Sequence, residues 1–111
     1  MPASDISRGN VQYGFLVAQS ITPGALTAST SQELSFTVPG ILATDIISGI
    51  VPPALQTAGV VISYGRVTAA NTVAIGFGNV TAGTPTPVAG IYTFHICRTG
   101  LAASALPTNA T

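Results

Sequence analysis

Glu33-Leu34-Ser35-Phe36-Thr37-Val38 alternates strictly between polar and apolar residues. Successive side chains of an extended strand point to opposite faces, so Leu34, Phe36 and Val38 share one face while Glu33, Ser35 and Thr37 share the other. Pro39-Gly40 then closes the run with a residue that cannot donate to a ladder and one that turns freely. The pattern predicts a half-buried β-strand.

The same logic extends outward. In Thr72-Val73-Ala74-Ile75-Gly76-Phe77 the apolar set is Val73, Ile75 and Phe77, and in Tyr92-Thr93-Phe94-His95-Ile96 it is Tyr92, Phe94 and Ile96. Each is expected to show one dry and one wet face. Gly59-Val60-Val61-Ile62-Ser63-Tyr64 is apolar on both faces at its start, which predicts a strand covered on both sides. Between Arg66-Val67-Thr68 and Thr72-Val73, the connection Ala69-Ala70-Asn71 suits a hairpin, because Asn tolerates left-handed backbone. Weaker strands are expected from Val11 to Val17, interrupted by Gly14, and from Asp45 to Val51, interrupted by Gly49 and stopped by Pro52-Pro53. Glycines inside strands are candidate bulges.

No segment carries apolar residues at helical spacing between a capping residue and a closing Gly. Val80 to Gly90, stiffened by Pro85 and Pro87, reads as a long loop projecting from one end. Ser20 to Gln32 is similarly turn-rich. The expected organisation is an N-terminal arm (residues 1–10), one domain (11–98) and a C-terminal tail (99–111) of Ala, Thr and Ser without periodicity. Short alternating strands separated by turn signals predict an all-β fold, either two antiparallel sheets packed face to face or a partly closed barrel. A single antiparallel β-sandwich with extended arms is the expectation. Immunoglobulin-like and jelly-roll connections leave the same strand pattern, and a jelly-roll-like one is expected.

The chain has 111 residues, enough for one core. Only 5% of them are charged, where a free soluble domain carries roughly 25%. Arg8, Arg66 and Arg98 are the only basic residues apart from His95, too few and too scattered to neutralise a phosphate backbone, so nucleic acid is not an expected partner. No apolar run approaches the ~18 residues of a membrane-spanning helix, and no membrane partner is expected. The opening Met1 to Asn10 lacks a basic start followed by an apolar stretch, and Cys97 is the sole cysteine. Synthesis in a cytoplasm is therefore expected, with no internal disulfide. A surface of Thr, Ser, Ala and Gly suits dry packing, which implies that much of it is covered in the working state.

Chemistry-bearing residues are sparse. His95 and Cys97, two apart, share a strand face and make a nucleophile and base conceivable. With no nearby acid and no Gly-rich oxyanion turn, a structural role is the better reading, and no catalytic residue is assigned. One His, one Cys and the scattered acids Asp5, Glu33 and Asp45 do not supply a metal's ligands, so neither metal nor cofactor is expected. Gly76 and Gly78 alternate within a strand and read as packing glycines rather than a phosphate loop. Asn79-Val80-Thr81 and Asn109-Ala110-Thr111 match the glycosylation pattern by chance. Tyr13, Tyr64 and Tyr92 are expected in the core rather than as a sugar platform. Arg66 and Arg98 are placed to pair with Glu33 or Asp45, or to contact an acidic partner.

Arg66 to Gly83, followed by Pro85, Pro87 and Tyr92-Thr93-Phe94, resembles a β module recurring in tailed-phage virion proteins. Being almost nothing but this module, the chain resembles the small capsid decoration proteins, also called cement or staple proteins, of short-tailed phages of the epsilon15 type. The resemblance covers roughly Glu33 to Arg98. It implies a jelly-roll-like sandwich on the outer surface of the virion head, made in a bacterial host cytoplasm. There it would form dimers that bridge neighbouring major capsid subunits and stabilise the shell, with no catalytic residues. The candidate shell contacts are Asp5, Ile6 and Arg8 in the arm, and Arg66 and Arg98 near strand ends. The same module occurs in fibre and spike proteins, so a receptor-binding tip using the loops around Asn71 and Val80 to Gly90 is the alternative. A hydrolase using Cys97 ranks last.

Overall fold

The computed structural model describes residues 11–99, with side chains described from Gly14 to Arg98. Both expected arms therefore lie outside the described residues, apart from Thr99, which closes the last strand. So do the candidate contacts Asp5, Ile6 and Arg8.

Among the described residues six strands follow one another without a helix: β1 (Val11–Ile21), β2 (Ser31–Thr37), β3 (Ile46–Val51), β4 (Val60–Ala69), β5 (Thr72–Asn79) and β6 (Gly90–Thr99). They form two three-stranded antiparallel sheets, ordered β1-β6-β3 and β2-β5-β4. The sheets pack face to face as a small β-sandwich, as the alternating patterns predict. A jelly roll winds eight strands. Six are present among the described residues, and that finer expectation gains no support from the strand order.

Alternation decides what is inside. Val73, Ile75 and Phe77 of β5 meet Tyr92, Phe94 and Ile96 of β6, all at 0% exposure, and Phe15, Val17, Leu34, Phe36, Ile47, Ile50, Ile62 and Val67 pack around them from the flanking strands. Val38 and Ile41 close one end of this core, and Ile21 and Leu26 join it from the β1–β2 side. Gly65 lets the edges β3 and β4 come together: a Cβ there would lie 2.6 Å from Ile50 Cδ1 and 3.2 Å from Ile47 Cγ2.

Three local expectations need correction. β5 does not have a wet face, for Ala74, Gly76 and Gly78 are buried as well. Side chains of β4 lie across these small residues, Tyr64 over Gly76 and Val61 over Gly78. Conversely β4, expected to be covered on both sides, is an edge strand with Val61 and Tyr64 about half exposed. The loop after β5 does not project. Its Pro85 and Thr81 carbonyls accept from the Leu26 and Ser29 amides, Pro87 is buried, and the Val88 amide donates to Gln56 Oε1.

Other local readings fit. Asn71 takes the left-handed backbone, with φ 63°, in the β4–β5 hairpin. Gly49 marks a bulge that leaves Ser48 as the extra residue of β3, whereas Gly14 pairs regularly with Cys97. Bulges at Ser63 and Thr68 also break the register of β4.

Candidate functional site

Charge is locked in pairs. Arg66 on β4 reaches across β5 to Glu33 on β2, with Nε donating to Oε2 at 2.6 Å and Nη2 to Oε1 at 2.8 Å. The Tyr64 hydroxyl donates to the same Oε2 at 2.9 Å. The Arg66 and Tyr64 hydrogen bonds hold the Glu33 carboxyl down at about 2, and Glu33 raises both partners in turn. Arg98 on β6 forms the second pair, with Nε on Asp45 Oδ1 at 2.9 Å and Nη2 on Oδ2 at 2.7 Å. Asp45 also accepts from the Leu42 amide, while Arg98 donates to the Gly40 carbonyl and stacks over Phe15 at 5.0 Å. The Arg98 hydrogen bond lowers the Asp45 carboxyl from its usual range. Glu33, Asp45, Arg66 and Arg98 are the only charged residues from Gly14 to Arg98. The described surface therefore carries no formal charge without an internal partner, and Arg66 and Arg98, the two candidate contacts that are described, each already hold a carboxylate.

The pair His95 and Cys97 does share a face, and the structure adds Ser48, which sequence reading missed because only the bulge in β3 brings it there. The Ser48 hydroxyl is hydrogen-bonded to His95 Nδ1, and the Cys97 thiol donates weakly to Ser48 Oγ at 3.7 Å. Neither described carboxylate, Glu33 or Asp45, bonds to this group, since both are taken by arginines. His95 is exposed, so water competes at the imidazole. Among the described residues no three His, Cys, Asp or Glu side chains gather as metal ligands do. Tyr92 is the core residue expected, whereas Tyr64 is half exposed on the sheet surface because Gly76 leaves its ring a seat; the Tyr13 side chain lies outside the described residues.

The same outer face, formed by β1, β6 and β3, has a composition unusual for a solvated sheet. Strand register arranges it in rows: Gly14, Cys97 and Ile46; then Leu16 beside His95; then Ala18, Thr93 and Val51; then Ser20 beside Ile91. Leu16, Ile46, Val51 and Ile91 are 68, 51, 62 and 57% exposed, and no charged side chain stands among these positions. The sequence held the signal, since Leu16, Ile46 and Ile91 occupy positions where a wet face would place Lys, Glu or Thr. It was illegible before β1, β3 and β6 were known to be neighbours. The opposite face differs: Glu33, Tyr64 and Arg66 form a polar cluster there over Ala74 and Gly76.

Between the sheets, the bulged edges β3 and β4 border an open groove of about 400 Å³ lined by Ile47 to Ile50 and Ile62 to Gly65. Its lining is uncharged, and it holds no convergent set of polar groups of the kind that fixes a small ligand. The chain matches no known protein family, curated protein or solved structure.

Proposed function

We propose that the chain is a structural virion protein that binds the outer surface of a phage head and bridges neighbouring major capsid subunits, stabilising the shell. The observation that carries the adhesive role is the uncharged outer face of the β1-β6-β3 sheet, where four large aliphatic side chains stand in water. Burying apolar area is worth roughly 25 cal/mol per Å², and here no charge has to be desolvated or matched. The resemblance of Arg66 to Gly83 and Tyr92 to Phe94 to virion β modules supplies the partner.

A structural role also fits the rest of the chain. Every buried side-chain polar atom among the described residues has a hydrogen-bond partner, so none is left aimed at a substrate. The fibre-tip alternative has less to stand on, since the loop it needs is pinned by Leu26, Ser29 and Gln56 and carries no aromatic residue. The test is to add purified chain to heads lacking it and to compare Leu16→Glu and Ile91→Glu with the parent. Both substitutions sit on the exposed face, so the thermal midpoint should stay within about 3 °C while head occupancy falls on the order of tenfold or more. Undiminished occupancy for both variants would reject attachment through this face.

A further inference from the structure

We propose that His95 is a proton-operated gate on the uncharged outer face of the β1-β6-β3 sheet: the neutral imidazole lets an apolar partner cover that face, and the imidazolium opposes it. The inference rests on the reading that this face is the attachment surface, and it names what regulates that surface.

β6 is the middle strand of its sheet, and His95 stands on its outer side between Leu16 on β1 and Gly49 on β3. Glycine flanks the ring on both sides: a Cβ at Gly14 would lie 3.6 Å from His95 Nε2, and one at Gly49 would lie 3.7 Å from His95 Cβ. The imidazole is exposed at the centre of a surface on which Leu16, Ile46 and Val51 are each more than half exposed.

Histidine is the side chain whose charge ordinarily changes between pH 5 and 8. Among the described residues no fixed charge faces His95 to mask that change. β1 presents Gly14 and Leu16 to it, and β3 presents Ser48 and Gly49. The other titratable group on this side is the Cys97 thiol, which donates to Ser48 Oγ. Arg98 lies on the inner side, stacked on Phe15 and paired with Asp45, and Tyr92 is buried there. Glu33, Arg66 and Tyr64 belong to the other sheet.

Ser48 serves both protonation states. Its hydroxyl is hydrogen-bonded to His95 Nδ1 and also reaches the His95 carbonyl at 3.3 Å. With the ring neutral, the hydroxyl donates to Nδ1. With the ring protonated, the Nδ1 proton is donated to Ser48 Oγ and the hydroxyl turns to the carbonyl. Proton uptake therefore leaves the ring in place, and its consequence is a charge in the middle of the face. Apolar cover strips water from that charge and supplies no counter-charge, which is costly. Cover thus favours the neutral ring, so adhesion is fullest at pH 8 and falls as pH drops through the titration of the ring, by up to about tenfold per pH unit.

The test uses the isolated full chain on phenyl-agarose, an apolar surface that needs no capsid, at fixed salt and at about pH 8 and about pH 5. The chain has one histidine, so a single imidazole NMR signal is followed over the same range. Glu33 and Asp45 keep their charges throughout, because their arginine partners hold both carboxyls below the usual range. The expected pattern is parent retention weaker by about threefold or more at the lower pH, with a midpoint matching that of the imidazole signal. His95→Gln should remove the pH dependence, and His95→Lys should be weakly retained at both pH values. A parent indifferent to pH, an imidazole signal that does not move, or a His95→Gln variant that keeps the parent's pH dependence would overturn the inference. Failure of the attachment reading is seen separately, as head occupancy undiminished by Leu16→Glu and Ile91→Glu.

Discussion

Asn71 shows how much one residue can decide. It holds the β4–β5 hairpin with a positive φ of 63°, and its side-chain Oδ1 accepts from the Gly40 amide at 2.8 Å, tying the hairpin to the turn after β2. These two roles separate by substitution. Asn71→Gly keeps the backbone and loses the bond, and should cost about 0.5–1 kcal/mol in urea melts. Asn71→Val loses both and should cost about 2–3 kcal/mol. Equal costs would show that backbone strain contributes nothing. The carboxylates make a second prediction at this scale. Glu33 and Asp45 have lowered folded-state values, so their contribution to stability is complete above the unfolded range near 4 and is lost as pH falls through the folded values. The thermal midpoint should be flat from pH 8 to about 5 and decline below that, toward pH 2 for Glu33. Glu33→Gln should flatten part of this acid limb; an unchanged limb would mean that the Glu33 pair adds no pH-dependent stability. At this scale the sequence was informative in part: the arginines stayed open between Glu33, Asp45 and an acidic partner, whereas the turn role of Asn71 and the packing role of Gly76 and Gly78 could be read from residue type and spacing. Ser48 could not, since a bulge shifts which side chain faces which.

Among the elements, the loop after β5 is the one whose behaviour was misread. Two prolines and no periodicity look alike whether a loop stands free or lies down. What lays it down is polar chemistry contributed by distant segments. Gln56 Oε1 takes the Val88 amide, Gln56 Nε2 donates to the Tyr92 hydroxyl, and that hydroxyl donates to the Val88 carbonyl at 2.6 Å. Asn79, buried at 4% exposure, gives its amide protons to the Thr27 and Gly83 carbonyls, which also removes it as a glycan acceptor. Tyr92→Phe keeps the ring in the core but orphans the Val88 carbonyl. It should cost about 1–2 kcal/mol and speed amide exchange between residues 80 and 89 while β5 and β6 stay protected. Protection unchanged along that loop would show that it is held by something else. The strand faces were misassigned for a related reason. Glycine and alanine on β5 read as wet positions, yet their small size is what lets Tyr64 and Val61 close over them.

For the molecule as a whole, alternation and turn signals predicted an all-β fold, with two packed antiparallel sheets expected ahead of a partly closed barrel, because a sandwich core is built from period-two patterns. Neighbour relations between strands are not local properties, so the uncharged face of β1, β6 and β3 emerged only from topology. That face, with every described charge internally paired, favours the proposed attachment through apolar packing over an electrostatic one. Attachment to heads should accordingly weaken less than about threefold between 0.05 and 0.5 M NaCl, since screening acts on exposed charges; release by moderate salt would contradict apolar attachment. The most direct test of the proposed shell-binding role is to purify the particles of the phage whose genome encodes the chain, should it be one, and to weigh the chain against the major shell protein by quantitative mass spectrometry. A ratio on the order of one copy per shell subunit or per pair of subunits is expected. A handful of copies per particle, or none, would contradict it.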